Sequence, residues 1–82
     1  TLAPALLPMA DISLLQSRGP QASAYLKRYF EVGPRSPRAL WLGVQIARLN
    51  ADRDAEASLS LELERTFPDS PQTKLLLDSR PQ

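Results

Sequence analysis

The chain has 82 residues, too few for two ordinary domains, with 43% hydrophobic and 23% charged residues and a net charge of +1. This is a globular balance, with no global field to draw in nucleic acid or an anionic membrane. Cysteine and histidine are both absent and the three glycines are scattered, so composition lacks the thiol chemistry, the commonest general base and metal ligand, and any phosphate-cradling loop.

In chain order, a first helix is expected from Pro4 to Ser17, with Pro8 bending it or delaying its start. Gly19-Pro20 marks a turn. Pro20 to Val32 reads as a second helix with an apolar stripe of Ala22, Tyr25, Leu26 and Tyr29, closed by Gly33 as a left-handed C-cap before Pro34. Ser36 is a good N-cap, and Pro37 suits the first helical position, where its missing N–H would be unpaired anyway. Arg38 to Asn50 then forms a third helix, with Leu40, Val44 and Ala47 on one stripe and Leu42, Ile46 and Leu49 on an adjoining one.

Asp52 caps a fourth helix. Asp54 and Glu56 in its first turn and Arg65 near its end complement the macrodipole. Ala55, Leu59 and Leu63 run at spacing four with Leu61 beside them, and Phe67 closes the turn over the helix end. Ser70-Pro71 repeats the capping device. Gln72 to Ser79 reads as a short closing helix, with a frayed end at Pro81-Gln82. No apolar run is long enough to span a bilayer, and no secretory leader pattern is visible. The lack of cysteine suits cytosol and periplasm alike.

The elements repeat. Pro34-Arg35-Ser36-Pro37 returns as Pro68-Asp69-Ser70-Pro71 after 34 residues. At the same shift Ala5 falls on Ala39, Leu6 on Leu40, Ile12 on Ile46, Leu15 on Leu49, Tyr25 on Leu59 and Tyr29 on Leu63. Thirty-four residues is the tetratricopeptide (TPR) period. The expected fold is all-α, a TPR-type right-handed superhelical stack of antiparallel helix hairpins. One repeat covers residues 3–36, a second 37–70, and a capping helix 71–79. Two hairpins are marginal for a solenoid, so the chain is expected to be the C-terminal fragment of a longer array. Self-association through the uncovered first helix is then an expectation, as is a lower melting point than that of the whole array.

Three stretches carry a family resemblance: Leu40-Trp41-Leu42-Gly43-Val44, Asp52-Arg53-Asp54-Ala55-Glu56-Ala57-Ser58 and Phe67-Pro68-Asp69-Ser70. With Met9-Ala10-Asp11 and Tyr25-Leu26-Lys27-Arg28-Tyr29, they resemble the C-terminal TPR region of the PilF/PilW family of type IV pilus biogenesis and stability lipoproteins. The resemblance implies a periplasmic TPR array on the inner leaflet of the outer membrane, held by an N-terminal lipid. It implies a pilotin role, in which the protein helps the secretin localise and assemble and so supports pilus extrusion. The lipidated cysteine, the signal peptide and the N-terminal repeats of that family are not in this chain. The segment itself is therefore expected to make no direct membrane insertion and to hold part of the function.

Arg38, Trp41, Gln45 and Arg48, at i, i+3, i+7 and i+10, share one side of the helix that lines the concave face in TPR arrays. They are the candidate partner-binding residues, since tryptophan and arginine are enriched at hot spots. The plainer reading packs Trp41 between helices and leaves the arginines solvated. From Arg18 to Arg48 there are six basic residues and one acid, and from Asn50 to Ser70 six acids and two basic residues. This asymmetry fits either a complementary binding strip or ordinary solvated faces. Glu62 and Glu64, two apart on a helix, diverge, and with Glu56 they form no catalytic pair. Tyr25 and Tyr29 fit inter-helix packing better than a nucleic-acid stacking platform. No catalytic residue, cofactor or metal site is expected. The leading function is a non-enzymatic scaffold binding the pilus secretin or a neighbouring pilus component. The alternatives are a generic TPR peptide-binding adaptor and an accessory helical domain of a periplasmic enzyme.

Overall fold

The computed structural model describes residues 3–79, and the frayed end expected at Pro81-Gln82 lies outside them. The chain forms five helices: α1 (Ala3–Leu15), α2 (Gly19–Val32), α3 (Pro37–Leu49), α4 (Arg53–Thr66) and α5 (Pro71–Asp78). No strand occurs among the described residues. The most extensive contacts join α1 to α2 and α3 to α4, while α3 also touches α1, α2 and α5, and α5 rests on α4. The result is an all-α, TPR-like stack with α3 at its centre.

Local chemistry starts the helices. Ser36 accepts a hydrogen bond from the Ala39 N–H at 3.2 Å, Asp52 from Ala55 at 3.2 Å, and Ser70 from Thr73 at 3.1 Å. Each satisfies a donor that the first helical turn leaves unpaired. Pro37 and Pro71 sit just inside the two serine caps. The first helix runs from Ala3 straight through Pro8, so the proline does not delay its start.

The two hairpin turns are the same motif 34 residues apart. Ser17 and Ala51 have φ of 58° and 55°. The Arg18 N–H bonds the Ser13 carbonyl and Ser17 bonds Leu14; Asp52 bonds Ala47 and Ala51 bonds Arg48. These are the paired 6→1 and 5→2 bonds of a Schellman turn, here with the left-handed position filled by Ser and Ala.

Gly33, expected to be left-handed, has φ −123° and ψ 170°. The residue before a proline is pushed toward extended conformations, and Pro34 follows. Gly33 serves another purpose. A Cβ there would stand 2.5 Å from Cε1 of the Tyr29 ring, so glycine lets the chain leave the helix across that ring.

The core has two clusters that share α3. Leu6, Ala10, Ala22, Leu26, Tyr29, Ala39, Leu42 and Ile46 are buried in the first; Leu40, Val44, Leu63 and Leu76 are buried in the second. Phe30 packs against both. Thr73, also buried, donates its hydroxyl to the Phe67 carbonyl and so ties α5 to the end of α4. Several expected stripe residues lie outside the core. Leu61 is 47% exposed, Leu49 41% and Leu15 78%, and Leu59 is half-buried. Leu61 lies two residues from both Leu59 and Leu63, which turns it to the outer side of α4.

A left-handed backbone costs a residue with a Cβ about 1–2 kcal/mol, while glycine loses about 0.5–1 kcal/mol more on ordering. Ala51→Gly is therefore expected to stabilise the chain by about 0.5–1 kcal/mol. Chemical denaturation measures this, and an unchanged or lowered midpoint would contradict the strain.

Candidate protein-interaction surface

Burial of α3 on its other sides leaves one stripe facing solvent. Arg38 is exposed on it, and Trp41, Gln45 and Arg48 are half-buried. The four side chains expected on one side of the helix thus lie outside the buried positions, but they differ in what they are free to do. Trp41 packs against the second cluster. The Arg48 guanidinium lies over its ring, 5.7 Å from the centroid. Arg48 Nε donates to Glu56 Oε2 at 2.7 Å, and Nη1 donates to Ser79 Oγ at 2.9 Å. This arginine therefore ties α3 to the first turn of α4 and to the end of α5, and it is not a solvated side chain. Arg38 makes no ion pair among the described residues, so its charge faces outward.

The second ion pair pins the connection between the hairpins. Arg35 donates through Nε and Nη2 to the two carboxylate oxygens of Glu62, both at 2.6 Å, and lies 4.3 Å above the Phe30 ring. The fork-to-fork geometry is the strong form of a charge-assisted hydrogen bond. Those bonds hold the Glu62 carboxyl below the usual carboxylate range and raise the Arg35 guanidinium. Both ion pairs join a basic residue of the first half to an acid of the second. The charge asymmetry of the sequence is thus partly internal.

The other candidates resolve plainly. Glu56 and Glu62 each hold an arginine. Tyr29 is buried edge-on to Phe30, with centroids 5.9 Å apart, and Tyr25 packs against the first cluster. Among the described residues no three side chains gather to hold a metal, and no helix is long and apolar enough to cross a membrane.

Sequence reasoning missed a groove on the opposite side of the stack. It measures about 370 Å³, with walls from α2 (Leu26, Lys27, Phe30) and α4 (Ala55, Leu59) and a floor at Gly43 and Ala47. A Cβ on Gly43 would stand 2.7 Å from Leu59 Cδ1 and 3.0 Å from Leu26 Cδ2. The signal for it was a glycine in a helix interior, which is costly unless a close approach needs it.

Two outcomes are expected from this geometry. Arg48→Ala should cost about 1–2 kcal/mol, because it removes an ion pair, a hydrogen bond and a ring contact together, whereas Arg38→Ala should stay within about 0.5 kcal/mol. Equal effects in thermal melts would count against the Arg48 clamp. Glu62 has a folded pKa below its unfolded value, so its contribution is present at neutral pH. It fades as pH drops below roughly 4.3, the ordinary glutamate value, and through the folded one. Glu62→Gln should flatten that part of the acid limb. The loss at pH 7 should be under about 1 kcal/mol, because the pair is open to solvent. An acid limb identical to that of the unaltered chain would exclude this role.

No protein-family model and no solved structure matches the chain. Among curated proteins it is similar to the type IV pilus assembly protein PilF of Pseudomonas aeruginosa (strain PAO1), with 34% identity over 64 residues. The match covers 78% of this chain and 25% of PilF, so the chain spans about a quarter of that relative's length. Its all-helical stack is thus a PilF-like region, similar over most of its length to part of a type IV pilus assembly protein.

Proposed function

We propose that the chain is part of a non-enzymatic scaffold for type IV pilus biogenesis, and that its inner stripe binds the outer-membrane secretin or a neighbouring pilus component. On this reading it assists secretin localisation and assembly from the periplasmic side of the outer membrane, with any lipid anchor lying outside this segment. The similarity to PilF carries the reading. The stacked helices support it, because such stacks bind through extended surfaces rather than enclosed pockets. Arg38 supplies an outward charge beside the half-buried Trp41. A charge on the rim of an interface steers encounter more than it holds the fold.

Arg38→Glu tests this with the clamp at Arg48 left intact. Co-purification of the secretin with the pilus protein carrying Arg38→Glu should fall about tenfold, the scale of one reversed interfacial charge, while circular dichroism stays unchanged. Undiminished co-purification would remove this stripe from the secretin interface and leave the segment as a structural end of the scaffold.

A further inference from the structure

The helices α1, α3 and α5 begin at Ala3, Pro37 and Pro71, each 34 residues after the last. Leu7, Trp41 and Leu75 therefore occupy the same position, the fifth residue, in three helices that stand side by side in the order α1, α3, α5. Leu7 and Trp41 are half-buried and Leu75 is 51% exposed. Together they make an apolar row running across the stack. Polar residues border it. Arg38 and Gln72 lie one turn toward the helix N-termini, and Asp11, Gln45 and Ser79 one turn toward the C-termini.

Packed helices stand about 8–10 Å apart, so the row has that step. An α-helix repeats its face every seven residues, a rise of about 10.5 Å, which matches. Same-face residues of an extended strand recur at about 6.7 or 13 Å, which does not. The strip between Arg38 and Gln45 spans seven residues of α3, about 10 Å, the width of one helix. A polyproline segment also has a suitable step of about 9.3 Å, but it is recognised by grooves lined with several aromatic rings. This row has one, Trp41. Arg38, exposed and unpaired, sets the charge that belongs on the border it faces.

Resting on the reading of the inner stripe as the binding face, we infer that the Leu7–Trp41–Leu75 row docks a partner's amphipathic helix. That helix crosses α1, α3 and α5 with apolar residues every seven positions and acidic residues on the edge beside Arg38.

Trp41 is the chain's single tryptophan and lies in the row, so its fluorescence reports occupancy. The 82-residue chain is titrated with three designed peptides: a three-heptad helix with Leu at every seventh position and Glu on one flank, a helix of the same composition with the Leu scattered, and a proline-rich extended segment. The heptad peptide should shift the Trp41 emission saturably, and the other two should not. Leu75→Glu and Arg38→Glu should each weaken that binding by about tenfold or more, the loss of a hot-spot contact. Leu77→Glu should leave it unchanged, because Leu77 is as exposed, at 49%, but lies two residues off the row. Circular dichroism on each variant confirms the fold. The inference is overturned if the heptad peptide fails to shift the emission, if the scattered or proline-rich peptide binds as well, or if Leu75→Glu behaves like Leu77→Glu. The peptides carry no pilus sequence. Their failure therefore rejects the helix-docking row alone, while secretin co-purification judges the pilus assignment separately.

Discussion

Burial of α3 on nearly every side is the constraint from which the other features follow. Ala39, Leu42 and Ile46 enter one cluster, and Leu40 and Val44 the other, so a helix of thirteen residues serves as core for both hairpins. Small residues make this possible. Ala39, Gly43 and Ala47 let neighbouring helices come close, and Gly43 receives the tips of Leu26 and Leu59. With its other sides covered, α3 has one stripe left for solvent, and the candidate interaction residues lie there because nowhere else is open.

The polar contacts then act as fasteners on an arrangement that packing has already chosen. Arg35 reaches Glu62 across the hairpin junction, and Arg48 reaches Glu56 and Ser79. Asn50 donates to the Gly19 carbonyl at 3.1 Å and links the end of α3 to the start of α2. These are modest terms singly. Their geometry fixes which arginines remain available outside. Arg48 is engaged by its own fold, and Arg38 is left to face a partner.

What could be read from the sequence was what neighbouring residues decide. Ser36, Asp52 and Ser70 cap helices through bonds to the third residue onward, so each cap is written within four positions. The buried stripe of α2, Ala22, Leu26 and Tyr29, followed from helical spacing in the same way. What escaped depends on distant groups or on competing local rules. Leu49 and Leu61 lie at stripe edges, and whether an edge is covered depends on which helix arrives there. The partners of Arg48 are eight and thirty-one residues away, out of reach of any periodicity. Gly33 was misjudged because glycine after a helix suggests a left-handed cap, while the following proline demands extension. The αL turns fell on Ser17 and Ala51, residues that do not advertise them.

Phe30 belongs to both clusters and lies under the Arg35 guanidinium. A ring shared in this way couples the hairpins, since opening either one exposes it. Repeat stacks behave as chains of units linked by nearest-neighbour terms, and a strong link makes two units melt as one. The slowest amide exchange of α2 and of α3 should then report the same global opening. The short α5, held chiefly by Leu76 and the Thr73 hydroxyl, has less to keep it closed and can detach on its own at lower free energy. The segment thus combines a cooperative body with a lightly latched end, and Leu75, the outermost residue of the apolar row, is carried on that end.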